Sequence, residues 1–402
     1  NIFVVFEKHK VMEMDKYSLS SDTWDENELN AINEVIKSNR YTMGEKTREY
    51  EEHFSNIIGA QYAVMVNSGS SANLIAIAAL IFSGKLKRGD EVLVPAVSWS
   101  TTYFPLQQYG LKLKFIDIDI DTLNIDIHQI KEALSDKTKA IFAVNLLGNP
   151  NQFNFIIQIC KKYNLLLIED NCEALGAKYN GSNTGTFGII GTFSTFYSHH
   201  ICTMEGGVAV TDNEELYHIM LSLRAHGWTR NIPDGSKLYQ HNRNSFYESY
   251  NFILPGYNLR PLEIEAAIGI QQLEKVDGLI KTRRENAEYF MNLFSELDNI
   301  SIQKEIGESS WFGFSIILRN KYSHKRDLFV EALTSSNIDV RPIVAGNFTK
   351  NPVIKYFDYS IHKELNSADN LHQNGFFVGN QSIGLKQEIK YLFDVITSIQ
   401  VH

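Results

Sequence analysis

Five short, almost uninterrupted apolar runs lie between Tyr62 and Asp170: YAVMV from Tyr62, EVLVPAV from Glu91, LKFIDID from Leu113, KAIFAVN from Lys139 and LLLIED from Leu165. A strand with one wet face alternates apolar and polar residues. These runs do not, so both of their faces must be covered, as in a mostly parallel sheet with helices on each side. The intervening stretches suit that role, with helices predicted over Ser71–Phe82 and Asp126–Leu134. A fold of this kind presents ligands with side chains at the carboxyl ends of its strands.

Further along, LPGYN at Leu254–Asn258 supplies a Pro-Gly turn, and a long helix with interleaved charges is predicted from Pro261 to Phe294. A strand over Phe312–Leu318, a helix over His324–Ser335, a strand over Ile338–Pro342 and a terminal helix near Gln387–Val401 complete a smaller α/β unit. The expected division is a large domain over 14–270, N-terminal segment included, and a small one over 271–402. Residues 1–13 precede Met14 and are set aside as a leader or expression remnant.

With 402 residues, 44% of them hydrophobic, the chain can bury a large core. A net charge of -9 and the lack of a clustered basic face argue against nucleic-acid binding. The longest apolar stretch, around Ala72–Phe82, is too short to span a bilayer, so no membrane partner and a cytoplasmic location are expected. Cys160, Cys172 and Cys202 form no C-x-x-C pair, which supports neither a disulfide framework nor a thiolate zinc site.

Three segments carry chemistry. Asn67-Ser68-Gly69-Ser70-Ser71-Ala72-Asn73 ends a strand and opens a helix, so its N–H groups could surround a phosphate; a plain Ser/Gly helix cap is the alternative. Asp170 ends the LLLIED run, where it could face a ligand nitrogen or simply cap a helix, and Glu173 follows it. The third segment, GTFSTFYSHHICTMEGG, runs from Gly191 to Gly207 and places His199 and His200 side by side before Glu-Gly-Gly. Adjacent histidines are commonly structural. Their side chains diverge and no third ligand is spaced nearby, so a metal site is not expected.

Taken in order, NSGSSANL, VPAVSWSTT, LLLIEDNCEALGA, TFSTFYSHH, MEGGVAVTD, LRAHG and LPGYNLRPLE resemble the sugar-nucleotide aminotransferases of the DegT/DnrJ/StrS family, from about Leu19 onward. The resemblance implies the aspartate-aminotransferase fold, fold type I of pyridoxal-phosphate enzymes. It implies a role for Asp170 at the pyridinium nitrogen and for Trp99 as a stacking platform on the ring. Ser68, Gly69 and Ser194 would hold the phosphate, and Glu173 the cofactor's polar edge. Asn258 would reach the phosphate of a partner subunit, hence a homodimer with shared active sites. Arg230 and Arg341 are candidate ligands for sugar or diphosphate oxygens, with solvated side chains as the alternative.

The family places its cofactor-binding lysine five residues after the phosphate-binding serine and six before the Glu of Glu-Gly-Gly. Counting from Ser194 and from Glu205 gives His199 both ways. Imidazole forms no stable Schiff base with the cofactor aldehyde. The resemblance to the family's histidine-bearing subgroup therefore implies noncovalent pyridoxal 5'-phosphate or pyridoxamine 5'-phosphate, with His199 as the acid-base group. The implied reaction is loss of the C3 hydroxyl from GDP-4-keto-6-deoxymannose, with L-glutamate as amino donor, in colitose and O-antigen biosynthesis. Two other outcomes stay open at this point: a 4-aminotransferase using a distant lysine, and a catalytically silent cofactor-binding protein. No lysine lies between Lys178 and Lys237 to take the missing place by a shift along the loop.

Overall fold

The computed structural model describes residues 16–241 and 244–399; residues 1–13 lie outside them. All five apolar runs are strands: β1 (Tyr62–Val66), β2 (Glu91–Pro95), β3 (Lys112–Ile116), β4 (Thr138–Val144) and β5 (Leu166–Asp170). After a short hairpin, β6 (Lys178–Tyr179) and β7 (Ser182–Asn183), come β8 (Ile190–Ser194) and β9 (Gly207–Thr211). The C-terminal part adds β10 (Ile300–Ile302), β11 (Gly313–Leu318), β12 (Val340–Arg341), β13 (Tyr359–Ile361) and β14 (Gly375–Gly379).

The large sheet has the order β1-β9-β8-β5-β4-β2-β3-β13. Only β9 runs against the others, pairing antiparallel with β1 and β8, so the carboxyl ends of β1, β8, β5, β4 and β2 share one edge. A second sheet, β10-β11-β14-β12, is antiparallel throughout. β13 pairs with β3 of the large sheet, although it lies between two strands of the small sheet in sequence.

Twelve helices are named along the described chain. They are α1 (Glu26–Ser38), α2 (Glu45–Ile58), α3 (Gly69–Phe82), α4 (Ser100–Gln108), α5 (Ile127–Ala133) and α6 (Phe153–Tyr163). There follow α7 (Glu214–Arg224), α8 (Ser245–Glu248), α9 (Glu263–Phe294), α10 (Arg326–Ser335), α11 (Asn366–Asn374) and α12 (Lys386–Ser398). Helix α3 is buried on nearly every side because its sequence is almost wholly apolar, and it packs on α4, α7 and the sheet. Past the serines of its first turn the exception is Asn73, a buried amide that must find polar partners. Helix α9 packs against α1, α2 and α12, so one continuous rod backs both sheets, and the division expected at 270 falls inside it. Among the described residues no helix is long and apolar enough to cross a membrane.

Candidate active site

The shared strand edge gathers most of the residues singled out from sequence. Ser68 leaves β1 in extended conformation and caps α3, its Oγ accepting from Ser71 N at 3.1 Å. The first turn of α3 thus points its N–H groups at the strand edge, where the helix dipole favours an anion. Ser194 closes β8 beside it: a Cβ placed on Gly69 would lie 2.5 Å from Ser194 Cβ and 3.0 Å from Cys172 Sγ. The Glu-Gly-Gly motif has a similar origin, because a Cβ on Gly207 would meet the Ser68 carbonyl oxygen at 2.2 Å. Gly69→Ala is therefore expected to lower stability by ~1–3 kcal/mol through overpacking and to weaken cofactor retention; a denaturant midpoint and a cofactor titration check the two effects.

Asp170 ends β5 and is buried. Its Oδ2 accepts from Asn73 Nδ2 at 2.9 Å and from Thr102 Oγ1 at 2.7 Å, and its Oδ1 accepts from Cys172 N at 3.1 Å. Asn73 is itself fixed by Thr192 Oγ1, which donates to Asn73 Oδ1 at 2.6 Å. These hydrogen bonds orient the carboxylate without supplying a counter-charge. Neither Asn73 nor Thr102 stands out by any motif, although a lone amide inside ANLIAIAAL was a signal for Asn73.

Trp99 occupies the cap position of α4 with 58% of its surface exposed, leaving an aromatic face free. It is held near the cradle from both sides, since Thr102 one turn on binds Asp170 and Ser70 Oγ donates to Thr101 Oγ1 at 3.0 Å. Glu173 follows β5 and accepts from Leu147 N at 2.9 Å. Burial, with a smaller contribution from Asp170, pushes its carboxyl up to about 7. Its folded value thus lies above the ordinary one, so the stability tied to its proton is full below about 4.5 and is lost as pH rises toward 7. Across that window the thermal midpoint of Glu173→Gln is expected to fall less than that of the parent, as calorimetry at stepped pH would read.

His199 sits in the turn that joins β8 to β9. That turn is closed by Thr195 N donating to Gly206 O at 3.0 Å, Thr203 N to Thr195 O at 2.9 Å and His199 N to Phe196 O at 2.8 Å. It is anchored from behind at Cys202, whose N donates to Gln272 Oε1 and whose carbonyl accepts from Trp24 Nε1, both at 3.0 Å. The half-buried imidazole lies against Phe312, ring centres 5.1 Å apart, and its Nδ1 is buried without a hydrogen-bond partner. Burial, then the Arg283 guanidinium, push it down to about 4. His200 is fully buried with Nε2 at 3.2 Å from the Ser310 carbonyl, which leaves it the structural member of the pair.

Asn258, Arg230 and Arg341 stand differently. Asn258 is exposed and accepts from Arg260 Nε at 3.0 Å, while its neighbour Leu259 accepts from Asn67 N at 3.1 Å, beside the cradle. Arg230 is exposed and lies 5.3 Å from the Trp228 ring centre, with Arg260 at 5.8 Å from the same ring. Arg341 is exposed on β12 and donates to the carbonyl of Val340. Among the described residues no hydrogen bond joins Arg230 or Arg341 to the cradle of the same chain.

The group implied by the resemblance fits what is present. A phosphate matches the N–H groups at the α3 N-terminus, which Ser68 caps and which Gly69, lacking a Cβ, lets approach Ser194 closely. A protonated ring nitrogen matches the buried, cation-free carboxylate of Asp170, and a flat ring matches the open face of Trp99.

Comparisons with known proteins agree with this geometry. The family model described as DegT/DnrJ/EryC1/StrS aminotransferase matches residues 22–390. The GDP-4-keto-6-deoxy-D-mannose 3-dehydratase of Escherichia coli O55:H7 is 56% identical over 387 residues, covering 95% of this chain and 100% of that protein. The solved structure of the E. coli GDP-4-keto-6-deoxy-D-mannose-3-dehydratase with bound hydrated PLP superposes with a TM-score of 0.93 at 55% identity, over 95% of this chain and 99% of that one. A crystal structure of GDP-4-keto-6-deoxymannose-3-dehydratase with a trapped PLP-glutamate geminal diamine gives 0.93 at 55% identity, over 94% and 99%. With its fold, its strand-edge cradle and a family match over most of its length, this chain belongs to the DegT/DnrJ/EryC1/StrS aminotransferase family.

Proposed function

We propose that the chain is a PLP/PMP-dependent nucleotide-sugar 3-dehydratase. It removes the C3 hydroxyl of GDP-4-keto-6-deoxy-D-mannose to give GDP-4-keto-3,6-dideoxymannose, with L-glutamate as amino donor, in dideoxysugar biosynthesis. The observation that carries the reading is an imidazole at 199, where the family keeps its lysine, in the turn after β8, with Ser68, Gly69, Asp170 and Ser194 gathered at the same strand edge.

When bound, the cofactor supplies an electron sink for the carbon that gives up a proton. Asp170 pairs with its ring nitrogen, and Ser68, Gly69 and Ser194 hold its phosphate. Trp99 covers one face of the ring, and Glu173, whose carboxyl burial pushes up to about 7, meets the polar edge, where its protonated form can donate as a glutamine would. The His199 ring is free to move protons because nothing ties it covalently. With Nδ1 enclosed, Nε2 is the atom that takes the proton and then delivers it to the C3 hydroxyl, which departs as water.

The proposal includes a homodimer in which Asn258 reaches the partner's phosphate and Arg230 and Arg341 meet diphosphate or sugar oxygens. Its support is a strongly exposed aromatic patch: Phe246, Tyr250 and Phe252 are 88%, 75% and 52% exposed, and Phe252 bridges to Trp228 three residues on from Ala225, which bridges to Asn258. GDP-sugars and glutamate are cytoplasmic metabolites, which supports a cytoplasmic site of action.

The test is one incubation of purified protein with pyridoxal phosphate, L-glutamate and GDP-4-keto-6-deoxymannose, followed by mass analysis and ammonia measurement. A product lighter by one oxygen together with free ammonia is expected. A stable 4-amino sugar without ammonia would make the chain an aminotransferase. Cofactor binding without turnover of any nucleotide 4-keto sugar would make it a silent binding protein.

A further inference from the structure

Arg283 lies on α9 with 2% of its surface exposed. Its Nε donates to Ser382 Oγ at 3.0 Å, and its Nη1 donates to the Phe312 carbonyl at 3.2 Å and to the Asn380 carbonyl. All three acceptors are neutral. Its neighbour Arg284 is paired with Glu308 at 3.2 Å, whereas among the described residues no carboxylate comes within ion-pair distance of Arg283. A buried guanidinium without a counter-ion is costly and seldom retained unless something depends on its charge. Three neutral acceptors require donors, and a neutral amide could supply part of that need.

What the charge faces is the histidine pair. The Phe312 residue that receives Arg283 through its carbonyl also walls both imidazoles, its ring lying 5.1 Å from that of His199 and 5.8 Å from that of His200. The segments packed around the guanidinium, 309–313 and 380–382, contain no ionisable side chain. The other ionisable groups of the site lie at and just after the end of β5: Asp170, engaged by its three donors, the thiol of Cys172, and Glu173. On α9 itself the next cation, Arg284, is neutralised by Glu308. His200 carries its proton on Nε2 toward the Ser310 carbonyl. Nδ1 is unpartnered in both rings, but the Nε2 of His200 is tied to a carbonyl, whereas the half-buried His199 makes no ring hydrogen bond among the described residues and is the member of the pair free to change protonation at the site.

We propose that Arg283 is a positioning residue for the dehydration: its unanswered buried charge keeps His199 neutral and ready to accept a proton, then drives that proton off toward the departing hydroxyl. The inference rests on the dehydratase reading. It explains how one imidazole serves as base and then as acid within a single turnover. Repulsion from a fixed cation makes the imidazolium short-lived, so the proton is passed on instead of being held. The low value to which His199 is pushed, by burial first and by the Arg283 guanidinium second, agrees with this geometry.

The test compares the parent, R283K and R283Q, each loaded with pyridoxal phosphate. Histidine ¹⁵N resonances are followed from pH 4 to 8, with His199 assigned by its absence in H199N. In the parent, His199 is expected to stay neutral down to about pH 5. In R283Q its titration, and with it the acidic limb of kcat/KM, is expected to move up by about 1 pH unit or more, while R283K keeps both near the parent. A titration that does not move in R283Q, with turnover reduced equally at every pH, would make Arg283 merely structural. If R283Q fails to fold, the parent and R283K decide: a His199 that titrates near 6.5 in the parent overturns the proposal. The titration needs no substrate, so a moved titration in a protein without dehydratase activity would sustain the coupling and reject the reaction.

Discussion

His199→Asn is expected to abolish loss of the C3 hydroxyl, by at least about 10³-fold, because one imidazole supplies both the base and the acid. Asparagine can occupy the same turn, since the contact that fixes residue 199 there is its backbone N–H to Phe196 O. The cradle is built from other elements: the N-terminus of α3, the ends of β5 and β8, and the start of α4. Cofactor affinity, measured by titrating its visible absorbance, is therefore expected to stay near that of the parent. Mass analysis and ammonia release would read the lost activity. Dehydration that survived in this variant would move the proton transfer to another residue.

Asp170→Asn is expected to lower kcat by about 10²–10³-fold while the fold persists. The amide is isosteric, and its oxygen can still accept from Thr102 or Asn73. What it lacks is the negative charge facing the ring nitrogen, and breaking a buried ion pair from one side costs ~3–5 kcal/mol, which converts to a rate factor of that order. The phosphate contacts at Ser68, Gly69 and Ser194 would remain, so the cofactor should bind with an altered absorption spectrum. A variant within tenfold of the parent would show that Asp170 serves chiefly to cap the turn through Cys172 N.

Most of the architecture could be read from the chain because its signals are local. An unbroken apolar run of five or six residues declares a strand covered on both faces, and β1 to β5 coincide with such runs to within two residues, except that β3 stops at Ile116, three short of the end of its run. The helix expected at Ser71 begins at Gly69, where Ser68 supplies the cap, and the helix expected from Pro261 is α9 from Glu263. β13 is different. Tyr359–Ile361 is three exposed residues whose strand character comes from the edge of β3 that they cover, not from any pattern of their own.

The site divides along the same line. Ser68, Gly69, Asp170, Ser194 and His199 sit at strand ends or in the turn that follows one, and their spacing to neighbouring motifs marks them. Asn73 and Thr102 reach Asp170 across 97 and 68 residues, and Arg283 reaches the Phe312 carbonyl from a helix whose local sequence, KTRREN, looks like a solvated charged face. Nothing in a one-dimensional pattern distinguishes the buried arginine of that run from the partly exposed Arg284 beside it. Only the packing of α9 against the two loops does so.

The placement of β13 also bears on how the gene can be cut. A fragment ending after α9 would carry every residue of the cradle and His199, yet it would leave the backbone of β3 as a bare, apolar-flanked rim. Such rims recruit other chains. The stretch downstream of α9 thus works as a hem on the catalytic sheet as well as a unit in its own right, and any tag, truncation or fusion is better placed at a terminus than between the two sheets.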